Sequence, residues 1–257
     1  MLGLGVFQTP PGIVTQKAVL SALKAGYRNI DTASLYGNEH DVGQAVRDSG
    51  LPREQVFVST KLWNTDQGYD SALRACDQSL RRLGLGYIDL YLIHWPVPGL
   101  RKESWRALVE LQRRGVCRAI GVSNYTVRHL RELLDGSEST PDVNQVEFNP
   151  FLYQKELLSF CNGKKIQLEA YSPLTREYRL SHPEVLEVAR RCSKTPAQIL
   201  IRWSLQHGLV VIPKSVRPER IKENAEVFDF EMSGPDMATL DSLNEDLHTC
   251  WDPSEEP

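Results

Sequence analysis

Short apolar runs alternate with longer amphipathic stretches along the whole chain, and this alternation constrains the fold more than any other feature of the sequence. The runs are rich in Val, Ile and Leu and predict eight strands, at Leu2–Phe7, Arg28–Ile30, Val56–Ser59, Ile88–Ile93, Ala119–Val122, Asn144–Glu147, Ile166–Ala170 and Leu209–Ile212. Helical patterns lie between them, at Thr15–Lys24, Tyr69–Leu83 and Glu103–Arg114, and Pro196 suits a first helical turn. Eight strand–helix units without a linker predict an α/β protein, a closed parallel (β/α)8 or TIM barrel formed by residues 1–257 as one domain.

Charge and cysteine content narrow the choice of partner. The chain has 30 basic and 33 acidic residues, a formal net charge of -3, and therefore no broad basic surface for nucleic acid or an anionic membrane. Its five cysteines are scattered and form no CxxC pair, which argues against a disulfide framework or a zinc site. No stretch approaches the ~20 apolar residues of a membrane span. We expect a cytoplasmic monomer that acts on a small molecule.

The first predicted strand is not followed by the glycine-rich turn of a Rossmann dinucleotide site. Gly3 and Gly5 lead into Pro10 and Pro11 instead of a helix, so a GxGxxG motif is absent there. In a β/α barrel, active sites lie at the carboxyl ends of the strands. The polar residues that follow each apolar run are therefore the candidates for chemistry.

Four groups that can handle protons occupy such positions. Asp31 follows the second predicted strand, with Tyr36 just beyond it, Lys61 follows the third strand and His94 the fourth. A lysine ammonium lowers the pKa of a nearby tyrosine from its usual ~10, and a carboxylate keeps a buried lysine charged. A neutral histidine can orient a carbonyl by hydrogen bonding. The set suits proton donation to an oxyanion, and reduction would also require a cofactor that carries hydride.

Long segments of the chain resemble the aldo-keto reductase family. The segments are GYRNIDTASLYGNEHDVGQAV at 26–46, IDLYLIHWP at 88–96 and IPKSVRPERIKENAEVF at 212–228, with STKLW, GVSNY, NQVEFNP and AYSPL between them in the family's order. The resemblance covers nearly the whole chain. It implies NADPH-dependent reduction of aldehydes and ketones to alcohols, with Tyr36 as proton donor, Asp31 and Lys61 tuning it, and His94 positioning the carbonyl.

The same resemblance implies a site for NADPH/NADP⁺. Ser123, Asn124 and Gln145 would bind the nicotinamide carboxamide, and Tyr171 would stack on the ring. Further cofactor contacts are implied at Ser172, Leu174, Lys214, Ser215, Val216, Arg217, Arg220, Glu223 and Asn224. The basic residues among these would bind the 2′-phosphate, so NADPH is expected in preference to NADH, while Glu223 and Asn224 would face the adenine.

Three segments depart from the family pattern. The N-terminal hairpin that usually covers the barrel floor looks incomplete before GLGVF, and Thr175 to Arg179 stand where relatives commonly have a glycine. The connection after His94 is short. Short loops predict an open pocket for small carbonyl compounds, lined by Phe7, Trp63, Trp95 and Tyr178, with Trp251 either closing over it or packing outside.

Other interpretations of the same residues remain open. Each of the four strand-end residues has a common structural role, such as a packing tyrosine, a satisfied core histidine, a turn aspartate or a surface lysine. A cofactor-binding regulatory subunit and a metal-dependent barrel hydrolase are alternative functions, although no HxH or HExxH motif supports the hydrolase. The sequence does not rank small dicarbonyls, aromatic aldehydes and oxidised lipid or prostaglandin carbonyls as substrates.

Overall fold

The computed structural model describes residues 1–137 and 139–256 and contains one sheet of eight strands arranged in sequence order. Every strand pairs in parallel with the next. The strands are β1 (Gly3–Gly5), β2 (Asn29–Asp31), β3 (Phe57–Leu62), β4 (Ile88–Ile93), β5 (Cys117–Ser123), β6 (Val143–Glu147), β7 (Gln167–Tyr171) and β8 (Val210–Val211).

Contacts between the first and last strands close the sheet. Leu2 forms a parallel bridge with Val211, Gly5 forms another with Lys214, and the Gly5 amide donates to the Pro213 carbonyl at 3.1 Å. The predicted (β/α)8 TIM barrel is confirmed.

Helices connect the strands on the outside of the barrel, with two helices between β7 and β8 and two after β8. They are α1 (Ile13–Lys24), α2 (Glu39–Asp48), α3 (Tyr69–Leu83), α4 (Arg101–Arg113), α5 (Val127–Leu134), α6 (Lys155–Lys164), α7 (Pro183–Cys192), α8 (Pro196–Gln206), α9 (Pro218–Ala225) and α10 (Gly234–Asp241).

The start of α8 illustrates how local sequence fixes a helix boundary. Thr195 accepts from the Gln198 amide at 3.3 Å, and the Gln198 side chain accepts from the Thr195 amide at 3.0 Å, which is a capping box. Pro196 occupies the first turn, where its missing amide hydrogen costs nothing, as predicted.

Some strand boundaries differ from the prediction. β3 continues to Leu62, so Lys61 lies inside this strand and not after it. β8 is shorter at both ends than the predicted Leu209–Ile212. The predicted bounds of β4 and α3 are confirmed.

The barrel interior is unusually polar near the carboxyl ends of the strands. Successive strand residues point to opposite faces, so Ile30 and Ala170 face the helices while their neighbours face inward. Inward side chains of β2, β3, β6 and β7 hydrogen-bond to one another: Asn29, Asp31, Ser59, Lys61, Gln145 and Glu169. Branched apolar residues usually fill such a barrel, so this polar network marks the region from which a site is built.

Candidate active site

A cavity of about 540 Å³ opens at the carboxyl ends of the strands. Asp31, Tyr36 and His94 line it. Lys61 is fully buried behind them and reaches Tyr36 from below. The fold therefore brings together the four residues that the sequence singled out.

The turn after β2 places Tyr36 at the cavity. It is a single 3-10 turn, Ser34–Tyr36, which ends at Gly37 with a φ of 69°, a conformation that favours glycine. The Ser34 hydroxyl donates to the Lys61 carbonyl at 2.9 Å, which ties this turn to β3. The Phe7 ring packs 4.9 Å from the Tyr36 ring and covers its other side.

Lys61 uses its three hydrogens on three different partners. Its Nζ donates to Asp31 Oδ1 at 2.6 Å, to the Thr32 carbonyl at 2.9 Å and to the Tyr36 hydroxyl at 3.2 Å. Burial alone would lower the pKa of Lys61, but Asp31 and then Tyr36 reverse this, and the pKa is raised. A charged ammonium therefore contacts the phenol oxygen.

The ionisation of Tyr36 differs from the sequence expectation. Burial raises the pKa of Tyr36 to about 12, and the field of Lys61, which lowers it, only partly offsets the burial. The expectation of a lowered tyrosine pKa is wrong, because a buried phenolate loses more solvation than one ammonium restores. At neutral pH Tyr36 is a protonated phenol whose conjugate base would lie beside a cation.

His94 is neutral and held by aromatic neighbours. Its ring lies 5.6 Å from the Tyr36 ring and 5.2 Å from the Trp63 ring, edge-on in both cases. The pKa of His94 lies well below its usual range, mainly because the ring is buried and to a lesser extent because of the charge of Lys61. A neutral imidazole carries one N–H, so it can donate a hydrogen bond to a carbonyl oxygen.

The residues predicted to bind the nicotinamide end form one wall of the cavity. Tyr171 donates from its hydroxyl to Asn124 Oδ1 at 2.8 Å, and Asn124 Nδ2 donates to the His94 carbonyl at 3.0 Å. The Ser123 hydroxyl donates to the Gln145 carbonyl at 2.8 Å. The predicted residues that line the cavity are Ser123, Asn124, Gln145, Tyr171, Ser172, Leu174 and Lys214.

The remaining predicted cofactor residues lie beyond the cavity, around the start of α9. Just before α9, the Ser215 hydroxyl accepts from the Arg217 amide at 3.2 Å. The first-turn amides of α9 and the positive end of its dipole favour an anion. Val216 is exposed and Asn224 is buried within this segment. Arg220 forms an ion pair with Glu177 at 2.6 Å, and the Glu223 carboxylate accepts from the Thr195 hydroxyl at 2.6 Å.

The segment from Thr175 to Glu177 has an unusual backbone. Its three residues have φ values of 51°, 50° and 73°, in the left-handed region that favours glycine. Arg176 then reaches across the cavity, donating to Gln8 Oε1 at 2.7 Å and to the Thr249 carbonyl at 3.1 Å. The sequence pattern singled out this segment, in which Arg176 lies, but it did not predict the contact of Arg176 with Gln8.

Aromatic side chains form the opposite wall. Phe7, Trp63 and Trp95 line the cavity as predicted. Trp251 lies 6.4 Å from Trp63 and 5.7 Å from Trp95 between ring centres, so the C-terminal tail covers the cavity. Tyr178, by contrast, is 65% exposed and is not among the lining residues, so this expectation is wrong.

One buried carboxylate anchors the tail. Glu147, at the end of β6, accepts from the Thr249 amide at 3.0 Å, from the Thr249 hydroxyl and from the Cys250 amide at 3.1 Å. Sequence reasoning missed Glu147, although its place two residues after Gln145 on the same strand face was a usable signal.

Two negative findings apply to residues 1–137 and 139–256. None of the helices there is long and apolar enough to cross a membrane. The same residues contain no group of three or more His, Cys, Asp or Glu side chains able to hold a metal ion.

Comparisons with known proteins identify the family of this chain. The sequence profile described as Aldo/keto reductase family matches residues 13–245. The glyoxal reductase of Bacillus subtilis (strain 168) is 50% identical over 253 residues, 98% of this chain and 92% of the relative. The 9,11-endoperoxide prostaglandin H2 reductase of Trypanosoma cruzi (strain CL Brener) is 48% identical over 255 residues, 98% of this chain and 90% of the relative.

A solved structure adds the cofactor. A variant of Gox0644, crystallised in complex with NADPH, is 44% identical with a TM-score of 0.93, over 99% of this chain and 93% of that chain. The donors and the basic segment described above fit such a dinucleotide, since amides, an aromatic ring and cations are the groups that recognise carboxamide, nicotinamide and phosphate. This chain belongs to the aldo/keto reductase family and is an NADP-dependent oxidoreductase.

Proposed function

We propose that this protein reduces aldehydes and ketones to alcohols with Tyr36 as the proton donor, and that it accepts a broad range of small carbonyl compounds. The observation that carries the proposal is the chain of hydrogen bonds from Asp31 through Lys61 to the Tyr36 hydroxyl at the cavity. A structural role alone does not explain why a protonated phenol and a neutral imidazole line the same cavity with a buried cation directly behind the phenol.

The residues divide the proton chemistry among them. His94 donates a hydrogen bond to the carbonyl oxygen and fixes its direction. Tyr36 gives its proton to that oxygen as negative charge develops there, and the phenolate that remains is stabilised by Lys61 at 3.2 Å. Asp31 keeps Lys61 charged and in place. NADPH, when bound, supplies the hydride to the carbonyl carbon.

The cofactor is proposed to lie across the wall formed by Tyr171, with Ser123, Asn124 and Gln145 holding the carboxamide. Its adenosine phosphate would reach Lys214, Ser215 and the arginines near the start of α9. Arginine forks and a helix N-terminus both favour a phosphate, so NADPH should bind more tightly than NADH.

The aromatic wall favours carbonyl compounds with a flat or apolar body. Trp63, Trp95 and Trp251 offer ring faces and edges, and charged side chains are few on this side of the cavity. The named activities of the two relatives, on glyoxal and on a prostaglandin endoperoxide, differ greatly in substrate size, which supports trials of both small dicarbonyls and larger apolar substrates.

We also propose that residues 1–257 act as one domain, as a monomer and in the cytoplasm.

Tyr36→Phe tests the proton donor, with Tyr178→Phe as the matched control on an exposed tyrosine outside the cavity. Turnover is measured as loss of NADPH absorbance with methylglyoxal and with a nitrobenzaldehyde, and repeated with NADH. We expect Tyr36→Phe to lower kcat by about 10²- to 10⁴-fold with NADPH binding retained. Unchanged turnover would exclude Tyr36 as the acid, and NADPH binding without turnover in the parent protein would favour the regulatory subunit.

A further inference from the structure

Glu169 is a buried carboxylate that the proposed mechanism does not use. It lies on β7, only 3% exposed, facing the barrel interior beneath the cavity. Its Oε1 accepts from Asn29 Nδ2 at 3.1 Å, and its Oε2 accepts from Gln145 Nε2 at 2.8 Å. Both of its hydrogen bonds therefore come from neutral amides.

The Gln145 side chain links Glu169 to Asp31, one of the four proposed catalytic residues. The same Nε2 that donates to Glu169 also donates to Asp31 Oδ2 at 2.8 Å. A side-chain amide has two N–H hydrogens, and two carboxylates now engage both of them. Toward the cavity, which Gln145 lines, its side chain can act only as a hydrogen-bond acceptor.

Glu169, the second of the two carboxylates, determines the orientation of the Gln145 amide. Asp31 alone would occupy one hydrogen and leave the other free to turn toward a ligand. With Glu169 present, a flipped amide would place its carbonyl oxygen against two carboxylates, which is electrostatically unfavourable. The NH2 of a nicotinamide carboxamide needs an acceptor of this kind.

We propose that Glu169 is a positioning residue that locks the Gln145 amide, so that its carbonyl oxygen accepts from the carboxamide of the bound cofactor, and that its charge controls how tightly the nicotinamide half is held. The inference rests on the proposed placement of the carboxamide at Gln145. It adds a residue that touches neither cofactor nor substrate.

The surroundings of Glu169 support control by charge. The groups that face it are Asp31 and Asn29 on β2, Lys61 on β3, Gln145 on β6 and the amino group of Met1 ahead of β1. Burial, and then the charge of Asp31, raise the pKa of Glu169 to about 7, while Gln145, Lys61 and Asn29 act against them. A carboxylate of this kind changes charge in the neutral pH range, and its anion is the better acceptor for the Gln145 amide.

The test compares two ligands. NADPH carries the nicotinamide, whereas adenosine 2′,5′-bisphosphate carries only the adenosine and phosphate half and serves as a control for folding and for phosphate ionisation. Dissociation constants are measured by calorimetric titration for the parent protein, Glu169→Leu, Glu169→Gln and Gln145→Leu. Glu39→Gln removes another buried carboxylate, on α2 away from the cavity, and is the matched control.

We expect Glu169→Leu to weaken the binding of NADPH by about tenfold, which corresponds to the loss of one amide hydrogen bond, and to leave the binding of adenosine 2′,5′-bisphosphate unchanged. Glu169→Gln keeps an acceptor oxygen but not the negative charge, so its affinity for NADPH should lie between that of Glu169→Leu and that of the parent. The ratio of the two affinities should rise in the parent from about pH 6 to about pH 8 and stay flat in Glu169→Gln, because only the parent ionises there.

Any of four results would overturn the inference. Parent-like NADPH binding by Glu169→Leu, with weakened binding by Gln145→Leu, would reject Glu169 and keep the cofactor placement. Parent-like binding by both would reject the placement itself. If Glu169→Leu alone lost affinity equally for NADPH and for adenosine 2′,5′-bisphosphate, Glu169 would have only a structural role. If Glu169→Leu does not fold, the pH profile of Glu169→Gln decides, and a slope like that of the parent rejects the proposal.

Discussion

Lys61→Met removes the cation of the buried ion pair and should damage stability and catalysis by separate amounts. The Lys61 and Asp31 side chains are 0% and 3% exposed and 2.6 Å apart, so the variant leaves an uncompensated carboxylate in the barrel. Breaking a buried pair in this way costs about 3–5 kcal/mol of unfolding free energy. The double variant Lys61→Met with Asp31→Asn should recover most of that loss, since asparagine can still accept from Ser59 and Gln145.

Catalysis should not recover with stability. At 3.2 Å, an ammonium stabilises a phenolate by about 5 kcal/mol with an effective dielectric constant of about 20. Both variants lose this interaction in the transition state, which corresponds to a fall in kcat of about 10³-fold or more.

Urea unfolding followed by tryptophan fluorescence, together with NADPH turnover, separates these two effects. The reasoning requires the double variant to be more stable than Lys61→Met and equally inactive. A single variant as stable as the parent would show that Asp31 is not a buried anion. A double variant with the turnover of the parent would show that Lys61 does not act on Tyr36.

Three further predictions concern the tail, the phosphate site and the interior acid. Glu147→Gln should raise the KM for aromatic aldehydes by about three- to tenfold through a loosened Trp251, with NADPH affinity unchanged; steady-state kinetics that match the parent would contradict the anchor. Arg220→Gln should weaken the binding of NADPH by about tenfold and leave the binding of NADH unaffected in fluorescence titrations. An equal loss of affinity for both cofactors would argue against a contact with the 2′-phosphate. The pKa of Glu169 is raised by folding, so ionising this group costs stability as the pH rises from its pKa in the unfolded chain toward about 7. In urea unfolding, Glu169→Gln should therefore gain about 2–3 kcal/mol over the parent between about pH 5 and about pH 8. A pH-independent difference would contradict a neutral Glu169 at the lower pH.

Local sequence was sufficient to predict the existence of the eight strands and of three helices, and to select the residues at or near the strand ends. The apolar runs and helical patterns depend on side-chain periodicity, which short-range sequence contains, so the bounds of β4 and α3 could be read directly. Strand boundaries were harder, because they depend on pairing with neighbouring strands, which extends β3 past Lys61 and limits β8 to two residues.

The sequence by itself determined a closed α/β barrel, the convergence of Asp31, Tyr36, Lys61 and His94, and the family to which the chain belongs. Only the tertiary structure decided the direction in which the pKa of Tyr36 is shifted, because burial, unlike the presence of a lysine, depends on which other elements pack around the phenol. It alone revealed Glu169 beneath the site, since β7 and β2 lie far apart in sequence and meet only when the barrel closes around their inward side chains.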